Sequence, residues 1–300
     1  MINVKGLCKK FDDFQALNNL NLNVEQGSIY GLIGVNGSGK TTLIRHLTGI
    51  LQPDCGSVQM DGQDVYDNIA IKQRLGYIPD DLYFFGSYSL KGMRDFYSAV
   101  YPAWDEARYQ EMLADFALPQ KGKIAKFSKG MQKQAQFILT MSSRPDFLIL
   151  DEPIDGLDPI VRKKVWKYVV DDVAERQMTV LVSSHNLKEM EGICDAIGIL
   201  SGGEMKIEQD LDELKSDIHK VQAAFHCEED AQRAFEGLNV VHREKSGSIE
   251  HLIIRGSRED VEQAVYSADP IIFDMLPLSL EEVFIFEMGG ENDDIRSILA

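Results

Sequence analysis

Apolar positions along the chain switch between two spacings. Leu20, Leu22 and Val24 alternate with Asn21 and Asn23, which predicts a half-buried strand, and Val4 and Leu7 begin a β segment before it, so residues 1–30 read as β. Ile29-Tyr30-Gly31-Leu32-Ile33, Phe147-Leu148-Ile149-Leu150 and Thr179-Val180-Leu181-Val182 are instead short unbroken apolar runs, as expected of strands covered on both faces. Gly56–Gly62 reads as a strand ending in an Asp-Gly turn, and Leu75–Ile78 as one stopped by Pro79. Helices alternate with these strands after Thr42, over residues 160–175 and after His185.

Between about residues 88 and 145 the spacing becomes helical, with Met93, Phe96, Tyr97 and Val100 at i, i+3, i+4, i+7 and Met112, Leu113 and Phe116 further on. The pattern predicts an α/β domain over residues 1–207, with a mixed sheet core, an antiparallel β part and an all-helical insert. Ile197–Leu200 and Met205–Glu208 form its closing hairpin around Ser201-Gly202-Gly203-Glu204. Beyond it comes a second alternation. Residues 221–225 read as β, 228–238 as α, 240–243 and 251–254 as a hairpin, 257–266 as α and 271–273 as β. The order βαββαβ predicts a small ferredoxin-like α+β module in residues 208–300, with Glu291-Asn292-Asp293-Asp294 as a solvated tail.

Chemistry concentrates at the carboxyl ends of the apolar strands, where parallel α/β sheets place their ligands. Gly34-Val35-Asn36-Gly37-Ser38-Gly39-Lys40-Thr41 matches G-x-x-x-x-G-K-[ST], with a strand before it and a helix opening at Thr42 after it, the setting a phosphate-binding P-loop needs. Gly34, Gly37 and Gly39 let backbone N–H groups converge on phosphate, Lys40 reaches the β- and γ-phosphates, and the Thr41 hydroxyl holds Mg²⁺. Leu148-Ile149-Leu150-Asp151 is an apolar strand whose terminal acid would hold Mg²⁺ through its water shell. Glu152, turned the other way, could take a proton from an attacking water.

Charge narrows the partners. The formal charge of −17 is uneven: residues 208–300 carry 8 Lys+Arg against 22 Asp+Glu, a net of −14, while the first 207 residues stand near neutral. That acidity argues against nucleic acid or anionic lipid as a direct partner of the second part. Cys8, Cys55, Cys194 and Cys227 are isolated along the chain, which reads as a reduced compartment with no cysteine-based metal site. The N-terminus lacks an apolar signal core and no stretch approaches the ~18 apolar residues of a membrane span, so a cytoplasmic protein is expected.

Further segments resemble the ATP-binding subunits of ABC transporters over roughly residues 1–207. Phe127-Ser128-Lys129-Gly130-Met131 is similar to that family's signature loop, Ile154-Asp155-Gly156-Leu157-Asp158-Pro159 to its D-loop, Ser184-His185 to its switch histidine, and Phe11 to the aromatic that stacks on adenine. The resemblance implies a P-loop ATPase with ATP and Mg²⁺ as cofactors, working as a homodimer or a heterodimer with a related subunit. ATP would lie on the P-loop residues Gly34, Asn36, Gly37, Ser38, Gly39, Lys40, Thr41 and Thr42 of one subunit. Ser128 and the Gly130 backbone of the other would close over it, Asp158 of the D-loop-like segment is a further implied nucleotide-binding residue, and His185 would contact the γ-phosphate. Lys40, Glu152 and His185 are the implied catalytic residues, and Thr41, Asp151 and Asp80 the implied metal ligands.

Two departures stand out. Phe127, Lys129 and Met131 depart from the usual Leu-Ser-Gly-Gly-Gln signature, and Asp80 stands where the family presents Gln. Both departures, and Leu280-Glu281-Glu282-Val283-Phe284 near the end, resemble the stand-alone subunits of bacterial ABC-2-type exporters. That implies a separate membrane permease as partner, membrane contact only through it, and a place on the inner face of the cell membrane. The aromatics Tyr83, Phe84, Phe85 and Tyr88 read either as packing of the helical insert or as a docking surface for the permease. The alternative function is a soluble ATPase switch of the same type acting on a protein partner without transport.

Overall fold

The computed structural model describes residues 1–185, 187–211 and 218–282. Its elements are β1 (Ile2–Phe11), β2 (Phe14–Val24), β3 (Ile29–Ile33), α1 (Lys40–Leu47), β4 (Cys55–Met60), β5 (Gln63–Asp64), α2 (Ile69–Lys72), β6 (Leu75–Ile78), α3 (Leu90–Val100), α4 (Glu106–Phe116), α5 (Lys129–Ser142), β7 (Phe147–Asp151), α6 (Pro159–Arg176), β8 (Thr179–Ser184), α7 (Leu187–Met190), β9 (Ala196–Ser201), β10 (Glu204–Asp210), β11 (Ile218–Ala224), α8 (Glu228–Phe235), β12 (Asn239–Ser246), β13 (Ile249–Arg255), α9 (Arg258–Tyr266) and β14 (Ile272–Leu276). They fall into two compact units. One is Met1–His185 with Ile193–Glu208, and the other comprises the described residues of Asn186–Gly192 and Gln209–Ala300.

In the first unit a six-stranded sheet runs β10-β9-β3-β8-β7-β6, and β9, β3, β8, β7 and β6 pair in parallel. Every residue of β3, β7 and β8 is buried, the expected consequence of their unbroken apolar runs. The register sets Ile33 opposite Ser184 and Asp151 opposite Ser183, so the ends of β3, β8 and β7 lie side by side. A second, antiparallel sheet, β2-β1-β4-β5, shares a core with α1, where Leu43, Ile44 and Leu47 are fully buried at roughly 1.5–3 kcal/mol each. The helical insert starts each of its three helices on a side-chain cap. The Ser89 and Ser128 hydroxyls and the Asp105 carboxylate accept from the N–H groups of Gly92, Met131 and Arg108 at 3.0–3.2 Å.

Two expectations are corrected. Cys8 and Cys55 are not isolated: antiparallel pairing of β1 with β4 sets them opposite one another, Cα–Cα 5.1 Å, as a disulfide pair. Their separation of 47 residues along the chain hides a neighbourhood that only strand register creates. Phe11 is not in a loop but ends β1, paired with Phe14 across a tight turn in which Asp12 takes φ +50°.

The second unit holds an antiparallel sheet, β12-β13-β11-β14, in which β11, α8, β12, β13, α9 and β14 follow in chain order. Val221, Leu252 and Ile254 of the sheet share a core with Ala231 and Phe235 of α8 and Val261 and Val265 of α9. The acidic tail Glu291–Asp294 and the Val283-Phe284 end of the closing segment lie outside the described residues.

Candidate nucleotide site

Strand β3 delivers the chain to Gly34 and α1 takes it away at Lys40, leaving a tight loop with glycine at both ends. A side chain at Gly34 would meet the Leu200 carbonyl at 2.5 Å, and Gly39 begins α1 at φ +112° with no side-chain cap on the helix. The positive end of α1 therefore faces a cleft of about 300 Å³. Asn36, Gly37, Gly39, Lys40, Thr41 and Thr42 line this cleft together with Asp80, Asp151 and Glu152. Lys40 is 7% exposed, and its ammonium donates to the carbonyls of Gly34 and, at 3.2 Å, Val35. Burial lowers its pKa, with the Glu152 and Asp151 charges pulling the other way. Among the described residues the buried Ser38 hydroxyl has no hydrogen-bond partner.

Opposite the loop, the ends of β7 and β8 interlock. The Ser183 hydroxyl donates to Asp151 Oδ1 at 2.5 Å. Burial raises the Asp151 carboxyl above the ordinary range while that bond and the charges of Lys40 and Arg45 oppose it. Glu152 lies in the left-handed region at φ +47°, with its N–H against both Ser183 oxygens at 3.3 Å and its Oε2 3.1 Å from His185 Nδ1. Burial raises its pKa too, and the His185 contact works against that. Asp155 joins this pair: Glu152, Asp155 and His185 offer ligand atoms within 4.8 Å of one another.

The remaining sequence candidates lie elsewhere on the unit and do not line the cleft. Ser128 is exposed and caps α5. A Cβ on Gly130 would sit 3.5 Å from the Gly156 carbonyl, so the signature-like and D-loop-like segments are neighbours. The Asp158 carboxylate accepts from the N–H groups of Ile160 and Val161, both at 3.0 Å, and so caps α6. Phe11, 41% exposed, carries the Lys9 ammonium 5.6 Å from its ring centre.

A family model described as ABC transporter matches residues 17–155. ABC transporter ATP-binding protein YtrB of Bacillus subtilis is 34% identical over 291 residues, 97% of this chain and 99% of that protein.

This chain belongs to the ABC transporter ATP-binding family.

Bacitracin transport ATP-binding protein BcrA of Bacillus licheniformis is 33% identical over 218 residues, 72% of this chain and 71% of that protein. Daunorubicin resistance ATP-binding protein DrrA3 of Streptomyces coeruleorubidus is 30% identical over 98% of this chain and 90% of that protein. Among solved structures, an ATP-binding subunit of an ABC transporter matches at TM-score 0.67 and 27% identity over 72% of this chain and 92% of that one. A dimeric bacterial ABC transporter cassette shares the fold at TM-score 0.64. Among the described residues no helix is long and apolar enough to cross a membrane.

For this ABC ATPase three side chains escaped the sequence reading. Phe14 is 65% exposed and lines the cleft. Its signal was the symmetry of Phe11-Asp12-Asp13-Phe14, two aromatics across a turn. Ser183 was findable only as a hydroxyl near the end of the apolar strand that leads to His185. Lys133, whose ammonium donates to the Glu152 carbonyl at 2.9 Å, gave no signal, because helical periodicity shows a face but not what it meets. The aromatic segment divides: Phe84 is buried, whereas Tyr83, Phe85 and Tyr88 are exposed, with Phe85 5.1 Å from Tyr88 and 5.5 Å from Phe96 between ring centres.

Proposed function

We propose that this protein is the ATPase subunit of a bacterial exporter, binding Mg-ATP at the cleft of the first unit and driving a separate ABC-2-type permease. The observation that carries the reading is the convergence of Lys40, Thr41, Asp151 and Glu152 on one cleft at the uncapped start of α1. The glycine-walled loop and the orphaned Ser38 hydroxyl fit a phosphate chain, and the Thr41 hydroxyl and Asp151 carboxylate are the hard oxygen donors that Mg²⁺ takes. Asp80 is a further oxygen donor on the same wall. When bound, the metal would neutralise charge on the β- and γ-phosphates. Lys40 would orient those phosphates, and Glu152 would accept the proton of the attacking water, with His185 holding its carboxylate. YtrB, by its name and its coverage of this chain, supports a transporter ATP-binding subunit, and BcrA and DrrA3, named for bacitracin transport and daunorubicin resistance, support the exporter reading.

Ser128, Gly130 and Asp158 would complete the site of a second subunit, homodimeric or heterodimeric. They are at the surface and outside the cleft of their own chain, which suits a donor set aimed at a partner. The second unit, with its βαββαβ order, is read as a ferredoxin-like accessory module. The exposed Tyr83–Phe85–Tyr88–Phe96 rings are read as the permease dock. The deciding experiment is ATP hydrolysis by the purified chain, with and without magnesium, followed by ATP-dependent dimerisation. Neither activity nor pairing, alone or with a sister subunit, would remove the reading.

Two further expectations follow from the site. Adenine is expected to stack at the Phe11–Phe14 end of the β1–β2 hairpin, so Phe11→Ala/Phe14→Ala together should weaken ATP binding about tenfold, roughly 1.4 kcal/mol. The single variants, measured by fluorescent nucleotide titration, divide that loss between the rings; an unchanged double variant places adenine elsewhere. Turnover should also lose its acid limb early. A base works only when deprotonated, and burial raises the Glu152 pKa, so the kcat–pH profile should fall below a pH higher than an ordinary glutamate would set. A limb at the ordinary carboxylate range would take the base role away from Glu152.

A further inference from the structure

Glu152 is held in a conformation that a residue with a side chain disfavours, φ +47°, and its backbone is gripped from two sides. Ser183 takes the N–H, and Lys133 Nζ donates to the carbonyl at 2.9 Å. The same ammonium stands 3.5 Å from Asp80 Oδ1. The Lys133 side chain is 11% exposed, whereas Asp80 is 57% exposed. One half-buried cation thus joins three segments: helix α5, which Ser128 caps, the loop after β6 that carries Asp80, and the end of β7.

We infer that Lys133 is a positioning residue for Glu152, and that through its pair with Asp80 it makes the orientation of the base depend on where the Asp80 loop stands. The inference rests on the reading of Glu152 as the base. An ammonium has three donors and no acceptor, so it can hold a carbonyl and a carboxylate at once. The short acid at position 80 and the long base at position 133 span a gap that neither closes alone. If the Asp80 loop withdraws, the ammonium loses its counter-charge and its fixed position. The Glu152 carbonyl is then released, and the backbone relaxes toward the common region, swinging the carboxylate off the cleft. Lys133 lies outside the lining of the cleft and so acts through Glu152.

The test uses the full chain with Mg-ATP. Lys133→Met keeps the stem and removes the donors; kcat should fall by about tenfold to a hundredfold, as for other residues that orient a reacting group. The KM for ATP and the equilibrium ATP affinity should stay within about twofold, because the residue acts on the chemical step alone. Lys133→Arg, which keeps the charge and the donors, should recover most of the rate. Asp80→Asn should lower kcat in the native background and lower it by a clearly smaller factor in Lys133→Met, where the pair is already gone and only the Asp80 oxygen offered to the metal is still lost. Should Lys133→Met fail to fold, Lys133→Gln, which also removes the charge and shortens the reach, carries the same comparison of kcat with ATP affinity, and native turnover in it overturns the inference. Native turnover in Lys133→Met, equal losses of kcat and ATP affinity, or additive effects of the two substitutions would overturn the inference. A wild-type chain that binds ATP but never hydrolyses it overturns the Glu152 reading itself, and the positioning role with it.

Discussion

Glu152→Gln lowers ATP turnover by about 10²–10⁴-fold and leaves ATP binding intact, so ATP accumulates on a closed dimer. The amide keeps the shape of the side chain and can still donate to or accept from the His185 ring, but it cannot take a proton from water. The backbone at residue 152 is held by Ser183 and Lys133 through main-chain atoms, so the left-handed φ survives the substitution. Folding should therefore be unaffected, or slightly improved at neutral pH. A buried acid whose folded pKa is raised binds its proton more tightly in the native state; what it contributes is present at low pH and lost as pH rises through the folded value. The amide has no such loss. The measurement is single-turnover hydrolysis beside size-exclusion chromatography in ATP. Wild-type turnover in the variant would show that another group, Asp80 or Asp155, activates the water.

The sequence exposed the parts of this fold that repeat a period. The unbroken apolar runs Ile29–Ile33 and Phe147–Leu150 read as strands covered on both faces, and the structure buries all of them. The glycine loop was legible because the close approach of Leu200 and Ser38 at Gly34 and the left-handed backbone at Gly37 and Gly39 demand glycine at those places. Strand order and register were not legible. That Asp151 stands beside Ser183, and Cys8 beside Cys55, depends on pairings across 32 and 47 residues, set by packing and not by neighbours in the chain. The same limit separated Phe11 from Phe14: both are aromatic at the hairpin end, and only strand twist and turn geometry decide which ring lines the cleft. Asp80 shows a different limit. As a sequence it was a short acid in place of an amide, whereas in the fold it has a cation, Lys133, at hand.

Lys40→Met lowers ATP affinity by about a hundredfold or more, through loss of charge-assisted hydrogen bonds worth roughly 1.5–3 kcal/mol each on two phosphates. The nucleotide-free protein is the control that makes this a statement about binding. There the ammonium is buried and held by the carbonyls of Gly34 and Val35, and burial lowers its pKa, so the native state holds this proton less tightly than the unfolded chain does. A lysine shifted in that direction costs stability when charged, and the cost shrinks as pH rises through the folded pKa toward the unfolded one. Removing the charge should thus leave Tm equal or higher at neutral pH while ATP no longer raises it. Thermal unfolding with and without Mg-ATP reads both effects in one titration, since a ligand shifts stability by its affinity. If Lys40→Met unfolds early in the absence of ATP, its main duty is to stitch the loop to itself. If instead its Tm is kept and ATP still shifts it as in the wild type, the phosphates lie elsewhere, and the helix start at Lys40 is a turn rather than a site.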